Sequence, residues 1–202
     1  MSLRTECPRC PSPLDDATCP VHGPMPVLRR PDVASYESFA EALGAAGELP
    51  TYLPWPMSPG WAVTDFAVVD GRGTMTCCSG TSALDGPVDV LVVSEESGTG
   101  LGARCAGMPH LDPGREIGVG SPMVRVRIGS QSVPLWSVST ADAEGELDRS
   151  VVAGEAGGRW LWVVLRPASA MLLLRDEWIL RDVSAIGAPL VEMAFSGPGP
   201  LW

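Results

Sequence analysis

The spacing of apolar residues predicts one amphipathic helix shortly after residue 35. The apolar residues that recur at three- and four-residue spacing are Tyr36, Phe39, Ala40 and Leu43. Ser35 is a suitable N-cap, because its hydroxyl can accept one of the backbone N–H groups that a helix start leaves unpaired. Gly44 and Gly47 offer positions where the helix can end.

From residue 50 onward, short runs of β-branched, aliphatic and aromatic residues alternate with Gly and Pro, a pattern typical of a mainly antiparallel sheet. The run 124–128 alternates apolar and charged residues, whereas 160–165 is apolar throughout and favours a central strand covered on both faces. The predicted strands are 61–69, 74–78, 88–94, 124–128, 133–139, 160–165, 171–174 and 178–180. We therefore predict an α+β fold, with a mainly antiparallel β-sheet domain and one or two short helices.

The segment 7–23, CPRCPSPLDDATCPVHG, has the spacing of a metal site. Two residues separate Cys7 from Cys10, and two separate Cys19 from His22, with a Pro directly after the first ligand of each pair. Zn²⁺ takes four N or S ligands in a tetrahedron, and each such turn can present two of them. Because all four ligands would be protein atoms, the predicted zinc site is closed and structural. A Cys-x-x-Cys redox pair is the alternative, but the prolines after Cys10 disfavour the helix that follows such pairs.

The predicted metal site suggests how the chain is organised. Residues 1–24 are too few to form a core, so metal binding would supply their folding free energy as a zinc-knuckle segment. Three prolines in 24–31 predict an extended linker over 25–34. The α+β sheet domain then spans 35–195, and 196–202, which read SGPGPLW, are predicted to form a flexible tail.

Composition excludes several kinds of chemistry. The chain has no Lys, no Asn and two His, so Schiff-base catalysis and P-loop phosphate binding are excluded, and few imidazoles could serve as a base. Fourteen basic and 24 acidic residues give a formal net charge of −10 at pH 7, which argues against nucleic acid as a partner.

Nothing near the start of the chain has the pattern of a secretion signal, since Cys7 and Cys10 stand where its apolar core would be. The most apolar stretch, 160–174, is interrupted by Arg166 and Pro167 and is shorter than the roughly 20 residues that span a bilayer. We expect no membrane span and a cytoplasmic location, where thiols stay reduced.

A second candidate site is a ligand or partner surface. Trp55 and Trp61 lie in a proline-rich stretch, and Trp is enriched at interaction hot spots, although use in the core is the simpler interpretation. Cys78 ends a predicted strand, where a thiol can be reactive or simply buried. Gly100 and Gly102 lie in the segment ESGTGLG, which follows an apolar strand. This segment could cradle a phosphate, but a glycine-rich hairpin between two strands is favoured.

Several motifs carry a family resemblance. They are CPRC…CPVHG at 7–23, PWPMSPGW at 54–61, CSG at 78–80, GLGARCAG at 100–107, PLWSV at 134–138, GEAGGRWLWVVLRP at 154–167 and LRDEWILRDV at 174–183. In this order they resemble an uncharacterised actinobacterial family that begins with a zinc-ribbon-like segment. The resemblance implies a zinc site and no established activity. This chain departs from the ribbon pattern at Pro11, where ribbon knuckles commonly have Gly, and from the family pattern at Cys105, where the family often has Tyr.

These observations favour a non-enzymatic, zinc-stabilised binding or regulatory module with a protein partner that the sequence does not identify. The alternative is a small-molecule-binding domain or an enzyme. Its pocket would lie near Trp55, Trp61, Cys78 and the loop 98–102.

Overall fold

The computed structural model describes residues 3–140, 148–175, 178–187, 192–197 and 199–202. The strands are β1 (Arg4–Cys7), β2 (Cys10–Pro13), β3 (Thr18–Cys19), β4 (Gly23–Pro24), β5 (Leu28–Arg30), β6 (Tyr52–Pro54), β7 (Ala62–Val69), β8 (Gly73–Ser82), β9 (Gly86–Glu95), β10 (Val124–Ile128), β11 (Gln131–Ser137), β12 (Ser150–Ala156), β13 (Arg159–Arg166) and β14 (Ile179–Asp182). The helices are α1 (Tyr36–Ala46), α2 (Leu101–Ala106) and the 3-10 helix Ala168–Arg175. None of the helices in these ranges is long and apolar enough to cross a membrane.

Twelve of these strands form one sheet in the order β2-β1-β5-β7-β8-β9-β13-β12-β11-β10-β14-β6. Neighbours pair antiparallel, except that β10 and β14 are parallel. β3 and β4 form a separate two-stranded hairpin. The structure therefore confirms a mostly antiparallel sheet with few short helices.

The register of the central strands decides which side chains share a face of the sheet, because successive residues of a strand point to opposite faces. One row of paired residues is Ala67, Met75, Val93, Trp162 and Ala153. This row belongs to the surface that α2 covers, which we call the α2 face. The adjacent row is Phe66, Thr76, Val92, Val163 and Val152. It belongs to the opposite surface, which we call the α1 face.

Two groups of elements cover the α1 face. At one end α1 packs on β7, with the Phe39 and Phe66 rings 4.9 Å apart in an edge-to-face arrangement. At the other end, the strands β10, β11 and β14 and the 3-10 helix cover Val163 and its neighbours. The central strands are thus covered on both faces, as the apolar run 160–165 predicts.

The helix α1 forms where its sequence predicts it. The Ser35 hydroxyl accepts the Ser38 backbone N–H at 3.2 Å, and the Ser38 hydroxyl accepts the Ser35 N–H at 3.0 Å, which is a reciprocal cap. The helix ends at Gly47, whose φ of +60° suits a residue without a Cβ.

The chain between the metal-binding segment and α1 differs from the predicted linker. β5 lies within 25–34 and pairs with both β1 and β7. Pro26 and Pro31 lie outside β5, so the three residues between Val27 and Pro31 keep the N–H groups that a ladder needs. Residues 28–30 therefore join the N-terminal hairpin to the main sheet.

The predicted strand 171–174 is wrong, because these residues belong to the 3-10 helix. Ala170 and Leu174, four residues apart, are buried, while Leu172 between them is 44 % exposed. The Asp148 carboxylate accepts the backbone N–H of Ala168 at 2.9 Å and so satisfies one donor at the helix start. A short apolar run does not distinguish this arrangement from a strand.

The sequence predicts a flexible tail over 196–202. Flexibility stays a prediction, but the last residue of the sequence, Trp202, is partly buried and packs against the α2 face.

Candidate functional site

Two short hairpins bring together the four side chains that the sequence predicts as metal ligands. β1 and β2 pair with Cys7 opposite Cys10. β3 and β4 pair with Cys19 opposite Gly23, and His22 ends the loop between them. Each Cys-Pro-x-ligand turn therefore lies at the tip of a hairpin. We call Cys7, Cys10, Cys19 and His22 the metal cluster.

A tight turn between the hairpins returns the second pair of ligands to the first. The Thr18 N–H donates to the Asp15 carbonyl at 2.8 Å. Asp16 and Ala17 have φ of +44° and +56°, the positive values that the two central residues of a type I′ turn require. This reversal brings Cys19 back beside Cys10.

The distances within the metal cluster fit a tetrahedral ion. His22 Nδ1 lies 3.5 Å from Cys7 Sγ and 3.6 Å from Cys19 Sγ, and the Sγ atoms of Cys10 and Cys19 are 3.6 Å apart. All four ligand atoms lie within 4.8 Å of one another. Bonds of about 2.3 Å to sulfur and 2.0 Å to nitrogen give tetrahedral edges of about 3.8 Å for S–S and 3.5 Å for S–N. The residues present therefore suit Zn²⁺.

The backbone of each turn also faces its sulfur. The Arg9 N–H points to Cys7 Sγ at 3.5 Å, and the Val21 N–H points to Cys19 Sγ at 3.4 Å. Burial raises the pKa of Cys7 to about 11. Burial also acts on Cys19, but hydrogen bonds from the N–H groups of Val21 and His22, together with contacts to the Cys10 and Cys7 thiols, hold the pKa of this thiol below its ordinary value. A bound cation would favour both thiolates.

The segment around α2 holds the metal cluster against the α2 face. Arg9, inside the first turn, donates to the Gly98 carbonyl at 2.8 Å. Arg104 of α2 donates to the Cys7 carbonyl at 2.6 Å. Gly100 has a φ of +84°, and a Cβ there would lie 3.1 Å from the Arg9 side chain and 2.9 Å from Leu111. The first hairpin can therefore approach this loop closely only because residue 100 is Gly.

The favoured hairpin over 96–102 is wrong, because α2 begins at Leu101. The Glu95 carboxylate accepts the backbone N–H groups of Leu101 at 2.7 Å and Gly102 at 3.1 Å. A Cβ on Gly102 would lie 2.3 Å from Trp162 Nε1, so this helix rests directly on the indole. Burial raises the pKa of Glu95 to about 7, although both N–H groups act in the opposite direction.

The structure brings together three of the five residues predicted as a ligand surface. Trp55, Trp61 and Cys78 line one cavity of about 580 Å³, and Trp178 and Asp85 also belong to its lining. We call it the tryptophan pocket. The other two residues, Gly100 and Gly102, are absent from its lining and lie in the α2 segment. The pocket and the loop 98–102 therefore do not form a common site.

The cysteines at the strand end have the environment of core residues. Burial raises the pKa of Cys77 to about 12 and that of Cys78 well above its ordinary value. The Cys78 Sγ lies 3.7 Å from the Met57 sulfur. Such a thiol does not ionise near neutral pH, so this geometry disfavours Cys78 as a nucleophile.

Sequence reasoning missed a group of buried charges beside the metal cluster. Arg104 pairs with Glu6 at 2.6 Å, and Arg30 pairs with Asp65 through both carboxylate oxygens. These four residues come from α2, β1, β5 and β7, so no local spacing marks them. Burial raises the pKa of Asp65 despite the contact with Arg30.

Comparison with known proteins identifies the family. No curated protein and no solved structure matches the chain. A family model matches residues 1–200, which confirms the expected membership of an uncharacterised family. The chain therefore belongs to DUF6758, a family of unknown function.

Proposed function

We propose that the protein is a zinc-stabilised binding or regulatory module, in which Cys7, Cys10, Cys19 and His22 hold one structural Zn²⁺. The observation that carries this proposal is that three of the six ligand separations are 3.5–3.6 Å, close to the edges of a zinc tetrahedron, and that all four ligand atoms lie within 4.8 Å of one another. Four protein ligands leave no position for a substrate or water. The ion would therefore fix the two hairpins, and would not act in catalysis.

The remaining parts of the proposal follow from composition and charge. A module whose metal site uses three cysteines that form no disulfide suits the cytoplasm, where thiols stay reduced. The net charge of −10 disfavours nucleic acid and leaves a protein partner as the favoured one. An actinobacterial lineage and a zinc-ribbon relationship stay predictions.

The test is the metal content of protein purified without added metal. We expect about one zinc per chain in the wild type and none in Cys19→Ser. Cys77→Ser is the matched control, because Cys77 is an equally buried thiol on β8 that belongs to no ligand set. Cobalt substitution should give the visible bands of a tetrahedral thiolate site. A wild type without bound metal, or zinc that survives in Cys19→Ser, would contradict the proposal.

The tryptophan pocket supports a second candidate function, the binding of a small molecule. Three indoles line one cavity together with the polar residues Ser58, Thr81, Ser82 and Asp85, and aromatic clefts with a few polar groups are the usual sites for small molecules. Trp61 packs directly on Gly80, where a Cβ would lie 2.4 Å from its ring. Gly80→Ala should therefore displace Trp61 and weaken binding of a neutral fluorescent probe such as N-phenyl-1-naphthylamine. Gly44→Ala is the control, because a Cβ at Gly44 meets nothing within 4 Å.

A further inference from the structure

The guanidinium groups of two arginines lie over the ring of Trp202. The Arg30 guanidinium is 4.1 Å from the ring centroid, and that of Arg104 is 4.4 Å from it. The indole N–H donates to an Asp65 carboxylate oxygen at 2.7 Å. The ring and the N–H of the indole are thus both engaged. We call Arg30, Asp65 and Arg104 the indole slot.

The indole slot is a buried and charged site. The side chains of Arg30, Asp65 and Arg104 are 7 %, 3 % and 4 % exposed. Arginine stacked on an indole away from water contributes more than the same contact at the surface. A hydrogen bond to a buried carboxylate is likewise stronger than one between neutral groups. The slot therefore has the chemistry to select an indole over a plain aromatic ring.

The backbone next to Trp202 is recognised as well. Arg30 donates to the Pro200 carbonyl at 3.0 Å, and Arg166 donates to the Leu201 carbonyl. Carbonyl groups of successive residues, together with one anchoring side chain, are what a peptide-binding groove contacts. Residues 199–202 thus occupy the slot as a short peptide does.

One residue connects the indole slot to the metal cluster. Arg104 contacts the Trp202 ring, donates to the Cys7 carbonyl at 2.6 Å and pairs with Glu6 at 2.6 Å. Cys7 is a ligand of the proposed zinc site, so a metal ion would hold the carbonyl that orients this guanidinium. Each site therefore stabilises the position of Arg104 that the other one needs.

We propose that Arg30, Asp65 and Arg104 form a binding site for the indole of a tryptophan in a short peptide segment, filled in this chain by residues 199–202, and that indole and metal occupancy favour each other. The coupling rests on the proposed zinc site, whereas the indole slot stands on its own contacts. Linkage is reciprocal, so loss of the indole weakens zinc binding by the same factor by which loss of zinc weakens indole binding.

The first experiment compares zinc affinity, measured against a competing chelator, in wild type and Trp202→Ala. We expect Trp202→Ala to bind zinc about tenfold more weakly, within the usual range of coupling between sites. Trp136→Ala is the control, because Trp136 is a partly exposed indole on β11 and should leave the affinity unchanged. Trp202→Phe keeps a ring without the N–H and should fall between wild type and Trp202→Ala. Equal zinc affinity in wild type and Trp202→Ala would overturn the coupling.

The second experiment restores the missing ring from solution. Trp202→Ala should bind free indole, which should raise its melting temperature, while wild type should not respond. Benzofuran, a ring of the same shape without an N–H donor, should bind about tenfold more weakly than indole. An equal response to benzofuran and indole, or no response to indole, would overturn the indole slot. Because this readout needs no metal, it decides the slot even if the wild type holds no zinc.

Discussion

The α2 face and the α1 face belong to the same strands, but they hold their covering segments by different interactions. In the described part of the chain, the buried charged side chains are all on the α2 face or on the helix that covers it. They are Glu6, Arg30, Asp65, Glu95 and Arg104. On the α1 face the buried polar groups of β8 are hydroxyls, and Thr74 and Thr76 donate to the carbonyls of Pro50 and Tyr52 at 2.6 Å.

This difference separates two ways of closing a sheet. The α1 face is closed by apolar side chains such as Phe39 and Phe66, whose contribution depends on shape and buried area. The α2 face joins segments that are distant in sequence by ion pairs and hydrogen bonds, each of which has a specific partner. Buried ion pairs add little stability over apolar residues, but loss of one partner is costly. We therefore expect the α2 face to be the more sensitive to single substitutions and to pH.

The largest effect is expected at Asp65. Asp65→Ala leaves Arg30 buried without its carboxylate and should lower the free energy of unfolding by about 3–5 kcal/mol, measured by urea denaturation. The double variant Arg30→Met/Asp65→Leu should be more stable than Asp65→Ala, because it leaves no unpaired charge. If the double variant is the less stable of the two, charge pairing is not what holds this face.

A somewhat smaller effect is expected from the titration of Glu95. Burial raises its pKa to about 7, above the value of about 4.3 expected in the unfolded chain. Between these values the folded protein keeps a proton that the unfolded chain has released, so the free energy of unfolding falls as the pH rises through this window. The expected fall is about 3 kcal/mol, and it ends near pH 7.

The matched variants for this prediction are Glu95→Gln and Glu96→Gln, compared by urea denaturation between pH 5 and 8. Glu95→Gln should lose this part of the pH dependence, while Glu96→Gln, at the half-exposed neighbouring residue, should keep it. Parallel pH profiles for wild type and Glu95→Gln would show that Glu95 does not carry the dependence.

On the α1 face we expect a moderate effect that does not depend on pH. Val163 is fully buried between the central strands and their cover. Val163→Ala removes two methyl groups and leaves a small cavity, so the free energy of unfolding should fall by about 2 kcal/mol. The loss should be the same at pH 5 and pH 8 and at low and high salt. A loss that changes with pH would break the distinction between the faces.

The smallest effect is expected at the helix that covers the α1 face. Ser35→Ala removes the hydroxyl that accepts the Ser38 N–H and should lower the free energy of unfolding by about 1 kcal/mol. Ser35→Gly should lower the free energy of unfolding by only about a few tenths of a kcal/mol, because water can reach the free N–H. Equal losses in both variants would mean that the cap is not what the hydroxyl provides.

The sequence predicts the parts of this molecule that depend on local spacing. β10 lies at the predicted residues 124–128, α1 begins after its predicted N-cap Ser35, and the four predicted ligands converge. In each case the signal lies within a short stretch of chain, as alternation, a cap or two turns of the same form.

The parts that the sequence did not predict depend on contacts between distant segments. β12 contains Gly154, which weakens a strand signal, yet a Cβ there would lie 2.2 Å from the Pro134 carbonyl of the neighbouring strand. The indole slot draws its residues from β5, β7 and α2, and its occupant lies in a segment predicted to be a flexible tail. No pattern within a short stretch of sequence indicates contacts between such distant residues.

The order of strands has a consequence for how this protein meets other copies of itself. An open sheet has two outer strands with unpaired backbone groups, which can add strands from another chain and start aggregation. Among the residues that the structure describes, the outer strands are β2 and β6. β2 contains Pro11 and Pro13, and proline has no N–H to donate to a new neighbour. On β6 the Tyr52 carbonyl already accepts the Thr76 hydroxyl, and Tyr52 and Leu53 are buried. Both edges of the sheet therefore resist the addition of another strand. At one edge the protecting strand, β2, belongs to the metal-binding hairpin.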